Sequence, residues 1–361
     1  MLTYKHYIPI LKWKGAEQGA LKELDEERKK SITPLIQFVM PRQKPNEQLE
    51  DVVRRFEEQI EKMPEKILDV WGASPAFVDF SLLYTTELKA KSIESLLSKS
   101  PQYGIRLIPT VHLGDDAQIH RAASSVAKKN NSGICLRLIC SDFKDVSELN
   151  KRVDDFLTSY KLSPDEVDLL VDIKEIEENG TKYNQYLSIS QSIVNLSEWR
   201  GFIFAAGAFP KDLTNCKLDE ENLLPRLDWQ NWLKELKNRL ARKPAFSDYT
   251  IQHPIYEESS QFFHPTTSIK YSLENDWLIM KGKKQKYNLY LANAKLLSQD
   301  SRFSGENFSN GDKYIADRAR HYDKYIKNPE KEKGTGNAKT WIEAGINHHL
   351  SLVAHQVATL A

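Results

Sequence analysis

The chain has 361 residues, and 51 Lys and Arg stand against 50 Asp and Glu for a formal net charge of +1. That balance argues against a protein whose main task is to grip nucleic-acid backbone. A hydrophobic content of 40%, with 10% aromatics, excludes an acidic disordered chain. Taken in chain order, residues 4–30 read as an extended piece followed by a charged helix from about Gly15. Short apolar runs then alternate with segments of helical periodicity. The runs are 32–39 (ITPLIQFV), 76–83 (AFVDFSLL), 106–113 (RLIPTVHL), 133–139 (GICLRLI), 167–176 (VDLLVDIKEI), 201–209 (GFIFAAGAF), 246–251 (FSDYTI) and 268–273, the last extended by a hairpin through 277–280. Helical stretches are expected at 46–61, 86–97, 115–129, 146–157, after Gly180 and at 227–240. Residues 254–267 read as a polar loop.

Eight strands with intervening helices predict an α/β fold, a (β/α)8 TIM-barrel-like domain over 31–282. Residues 1–30 form an N-terminal extension in this reading. Residues 283–361 form a C-terminal helical segment packing on the barrel, with helices near 287–298, 311–325 and 339–360. The rival is an open doubly wound sheet, but no glycine-rich dinucleotide fingerprint follows any strand. The segment 327–337 (KNPEKEKGTGN) reads as a mobile loop.

No apolar stretch reaches the roughly 18 residues of a membrane span, and the start lacks a signal-peptide core, so a cytoplasmic protein without membrane attachment is expected. Cys135, Cys140 and Cys216 are an odd number without CxxC spacing, which points to buried thiols and away from disulfides or structural zinc. P-loop and GxSxG signatures are absent. The sequence names no cofactor.

In a barrel, function sits at the C-terminal ends of the strands. Polar residues inside the apolar runs are therefore the candidates: Gln37, Asp79, His112, Arg137, Asp172, Lys174, Asp248 and Tyr249. Asp79, Arg137, Asp172 and Asp248 are expected to share one cavity, where carboxylates around an arginine suit general acid–base work or a hard cation. A structural ion-pair cluster is the competing reading. If Asp248 faces the lumen, strand alternation puts Tyr249 outside unless the strand is bulged, and His253 then sits on the functional rim as a candidate base. His348, His349 and His355 lie on the last helix without HExxH spacing, so packing is their expected role. The basic run 281–287 reads as a solvated turn.

Tyr7, Pro9, Lys12, Lys14, Glu17 and the pair Ala20-Leu21 resemble the opening of the T4-type phage beta protein family. So do Phe246-Ser-Asp-Tyr249 with His253-Pro254, then Ile269, Tyr271, Trp277, Ile279 and Lys281-Gly282, and finally Gly336-Asn337, Trp341 and His348-His349-Leu350. The likeness runs discontinuously from end to end, with Ser247 where Gly is expected and Lys270 and Lys281 where Arg is expected. It implies a protein of phages and bacteria, acting in phage–host conflict such as antiviral defence, and it assigns no catalytic residues. Two mechanisms follow as expectations. One is a barrel enzyme acting on a polar or phosphate-bearing small ligand. The other is a non-catalytic binding module that holds a protein partner from the same operon.

Overall fold

The computed structural model describes residues 2–176, 180–257, 266–328 and 334–360. Its strands are β1 (Tyr7–Lys12), β2 (Leu35–Gln37), β3 (Ala76–Asp79), β4 (Leu107–His112), β5 (Ile134–Ile139), β6 (Val167–Glu175), β7 (Gly201–Gly207), β8 (Asn222–Pro225), β9 (Ala245–Asp248), β10 (Ile269–Ser272) and β11 (Asp276–Met280). Strands β1 to β7 and β9 pair in parallel and close into a barrel, with β1 hydrogen-bonded to both β2 and β9. The (β/α)8 architecture expected from the sequence is therefore present. β8, β10 and β11 form a separate antiparallel sheet.

One strand assignment needs correction. The run expected to be the eighth barrel strand is β10, which lies in the small sheet. Its place in the barrel is taken by β1, from the segment read as an extension. Both are short apolar runs, and only ring closure tells them apart. Every residue of β1 is buried, as a parallel strand covered on both faces requires.

Strand alternation sorts the barrel residues. Tyr7, Leu11, Ile36, Val78, Leu136, Val171 and Phe204 belong to the outer core between strands and helices. Ile8, Ile10, Leu35, Phe77, Ile108, Cys135, Leu170, Ile203 and Ala245 pack together inside the barrel as an apolar floor. The register sets Lys12, Gln37, Asp79 and Thr110 side by side two residues further along. The lumen is thus apolar toward the N-terminal ends and polar toward the C-terminal ends.

Helices Gly15–Lys22, Thr86–Lys99, Ala117–Asn130, Val146–Tyr160, Thr181–Ser190 and Leu227–Glu235 wrap the outside, and a helix pair, Leu49–Glu61 and Met63–Trp71, follows β2. The C-terminal helix Ala338–Ala358 packs on the Gly15–Lys22 helix, on β10 and on β1. Its Ile346, Leu350, Val353 and Val357 are fully buried, and each is worth about 1.5–3 kcal/mol of burial. Asn337 caps it, accepting from Thr340 N at 3.2 Å. Part of the loop expected at 327–337, namely 329–333, lies outside the described residues, as does 258–265 of the loop expected at 254–267.

The C-terminal helix and the helix Asn310–Lys327 meet backbone to backbone. A Cβ on Gly311 would overlap the Ala344 carbonyl oxygen and stand 3.0 Å from His348 N. Gly311→Ala should therefore force these helices apart and cost about 1–3 kcal/mol, read as a lowered urea midpoint. An unchanged midpoint would mean that the two helices are not held at this distance.

Candidate functional site

Asp79, Arg137 and Asp172 project from β3, β5 and β6 into the polar half of the lumen, and all three are fully buried. Arg137 lies between the two carboxylates. Its Nη1 donates to Asp79 Oδ2. Its Nε donates to Asp172 Oδ2 at 3.0 Å, and Nη2 donates to the same oxygen. Gln37 Nε2 donates to Asp79 Oδ2 at 2.9 Å, and the Ser81 amide covers Oδ1 at 2.7 Å. The expected hard-cation site is already occupied by a guanidinium. Among the described residues, no group of three His, Cys, Asp or Glu could hold a metal ion.

Tyr249 joins this cluster on the same parity as the lumen-facing Ala245, opposite to the parity expected with Asp248 inside. The strand ends at Asp248, and Thr250 follows at φ 58°. The Tyr249 hydroxyl donates to Asp172 Oδ2 at 2.7 Å and accepts from Arg137 Nη2 and Lys174 Nζ, each at 2.9 Å. Lys174 Nζ also lies 3.2 Å from Asp172 Oδ2. Lys174 has φ 60°, at the register shift between β6 and β7. A left-handed lysine at a bulge on the barrel rim is the kind of local strain that functional sites retain.

The charges are strongly perturbed. Burial alone would raise the Asp172 carboxyl, but Lys174 and Arg137 outweigh it and hold it well below the usual carboxylate range. Asp79 behaves likewise, with Arg137 the main opposing charge. Burial and then Asp172 push the Tyr249 phenol well above its ordinary value. Both carboxylates are therefore ionised anchors and poor proton carriers near neutral pH.

Three groups above them retain hydrogen-bonding capacity. Lys12 is buried, and its Nζ donates to His253 O at 3.3 Å. Desolvation lowers its ammonium to about 8, partly opposed by Glu17 and reinforced by Lys174. Glu17 is itself engaged by Gln252 Nε2 at 2.8 Å, and burial raises its carboxyl. Burial and then Arg137 lower the Lys174 ammonium. His112, at the end of β4, is lowered by burial and then by Arg137, and its buried Nε2 has no hydrogen-bond partner among the described residues. Thr110 Oγ1 and Ser247 Oγ are likewise unpartnered.

Asp248 does not reach this cluster. It points outward to the C-terminal helix, because alternation from the lumen-facing Ser247 places it on the outer wall. Asp248 Oδ1 accepts from Tyr7 OH at 2.5 Å and from Thr250 N at 3.0 Å, while Oδ2 meets His349 Nε2 at 2.8 Å. His349 Nδ1 meets Ser272 Oγ at 2.7 Å. The next residue, His348, bridges Ser272 O and Asp312 Oδ2, each at 2.8 Å. Asp312 Oδ1 accepts from Tyr271 OH at 2.7 Å. One buried polar chain thus ties the barrel wall to the small sheet and the last two helices. His348 and His349 pack, as expected, and His355 is exposed. His253 sits at the rim, with Nε2 2.6 Å from Glu175 Oε1.

Lys12 was missed by sequence reading because its strand was assigned outside the barrel. A lysine ending an otherwise apolar run (YIPILK) was the available signal. The structure defines a (β/α)8-barrel protein with a charged lumen, whose carboxylates are paired, beneath a lysine-bearing mouth. The family model described as Beta protein matches residues 7–355. The chain belongs to that family. A search of curated proteins returned no match. Among the described residues, no helix is long and apolar enough to cross a membrane.

Proposed function

We propose that the C-terminal mouth of the barrel is an active site for a small anionic, phosphate-bearing substrate. The convergence of Lys12, Lys174 and His112 over the Asp79–Arg137–Asp172–Tyr249 cluster carries this reading. Asp79 is engaged by Arg137 and Gln37, and Asp172 is shared by Arg137, Tyr249 and Lys174, so cations offset the carboxylate charge of the cluster. Lys12 and Lys174 would hold the anion. Burial brings the Lys12 ammonium down to about 8, which suits it to proton transfer. Asp79, Arg137 and Asp172 would position Tyr249 and Lys174 without touching substrate. The proposed setting is phage–host conflict, with a protein from the same operon as partner. Co-purification from the native operon tests that setting.

A thermal-shift screen of sugar phosphates and nucleotides, followed by turnover assays on the hits, tests the site. A hit that stabilises the wild type and fails to stabilise Lys174→Gln is expected. Stabilisation without turnover would favour a binding module, and no hit at all would count against the site.

The lysines also set a pH dependence. Lys12 has its ordinary value depressed to about 8, so it is charged below that pH and neutral above it. Glu17, Lys14 and Lys174 are the charged groups that act on it. Affinity for sulfate, whose charge is constant over this range, should fall as pH rises from 7 to 9. Calorimetry should show that fall in the wild type and a flatter profile in Lys12→Met. Equal slopes would remove Lys12 from the anion site.

A further inference from the structure

A second cavity, of about 400 Å³, lies between the loop leaving β7 and the C-terminal helices. Phe209, Leu213, Tyr290, Trp341 and Ile342 give it largely apolar walls. Trp341 is fixed there: its Nε1 donates to Thr335 O at 2.8 Å, and its ring stacks on Tyr290 with centroids 4.9 Å apart. Lys270 of β10 also lines the cavity. Its Nζ donates to Ile251 O at 3.2 Å and lies 4.4 Å from the Phe209 ring centroid.

Lys270 is partly exposed along its length, yet its ammonium end is desolvated. Burial alone pushes it down to about 8, and no carboxylate among the described residues opposes that shift. The nearby charges are spent elsewhere. Lys211 pairs with Glu257 at 2.7 Å, and Asp212 accepts from Thr214 N at 2.8 Å. A desolvated ammonium with one carbonyl acceptor has two N–H groups left over, and leaving them unpaired is costly. A carboxylate supplies both acceptors and the missing charge. The walls suit an aromatic or branched apolar body. A dianion would be only half neutralised by one lysine among apolar walls.

We infer that this cavity is a second ligand site, taking a small monocarboxylic acid with its carboxylate on Lys270 and its apolar body against Phe209 and Trp341. It is independent of the mouth site, since none of its lining residues belongs to that cluster.

Phenylacetate titrated into the full chain, read by tryptophan emission and calorimetry, tests it. Saturable binding is expected, weakened about tenfold or more in Lys270→Met and for the neutral isostere phenylacetamide. Lys270→Arg keeps the charge and should bind within about threefold of wild type, which covers the case in which Lys270→Met fails to fold. Equal affinity for the acid and the amide would overturn the inference. So would unchanged affinity in Lys270→Met, or no binding up to about 10 mM, where the binding free energy is under about 3 kcal/mol.

Discussion

Replacing Arg137 with methionine should destabilise the protein by about 3–5 kcal/mol, the usual cost of removing one partner from a buried ion pair. The volume is nearly kept, so the loss comes from charge. Asp79 and Asp172 are both fully buried, and among the described residues Asp79 would keep the hydrogen bonds from Gln37 and the Ser81 amide but no guanidinium. The pH dependence carries the sign. In the wild type both carboxyls lie below the unfolded value of about 3.9. Their contribution is complete above that value and disappears as pH falls through the depressed folded values. In Arg137→Met, burial dominates at Asp79 and raises its carboxyl. The variant should gain stability as pH falls from 7 toward 5, while the wild type stays level. Urea denaturation at both pH values reads this directly. A variant as stable as wild type at pH 7 would mean that the lumen pairs are not formed.

Asp248→Ala should cost a comparable amount, about 3–5 kcal/mol, for a different reason. It strips the acceptor from Tyr7 OH, Thr250 N and His349 Nε2 together, all of them buried. The damage falls on the joint between the barrel wall and the C-terminal helix. Limited proteolysis should therefore cut the last helices sooner than the barrel. Sulfate binding by the folded fraction should stay within about twofold, because Asp248 faces away from the lumen. Intact stability with lost anion binding would place Asp248 in the mouth instead.

These two variants separate residues that look alike in the sequence. Asp79, Asp172 and Asp248 are each an acid within or ending a short apolar strand, and alternation counted along one strand does not say which parity faces the lumen. That depends on register with the neighbours, fixed only on closure. Tyr249 follows from the same parity: once Asp248 faces outward, alternation carries Tyr249 into the lumen. Seven of the eight barrel strands were legible as apolar runs rich in β-branched and aromatic residues. The first was read as an extended piece although its spacing to β2 resembles that from β4 to β5, because β10 filled the eighth place: a buried strand of a small sheet carries the same composition. The convergence of Asp79, Arg137 and Asp172 was legible, since charges inside buried strands must pair. The long-range partners His349 and Asp312 were not, because Asp248 and His349 lie 101 positions apart and no local pattern links them.

The most direct test of the account is a crystal structure of the protein grown with sulfate or a phosphorylated hit from the thermal-shift screen. The account predicts an anion at the C-terminal mouth, within hydrogen-bond distance of both Lys12 Nζ and Lys174 Nζ, above an unbroken Asp79–Arg137–Asp172–Tyr249 cluster. An empty mouth, or an anion bound elsewhere on the protein and away from both lysines, would contradict it.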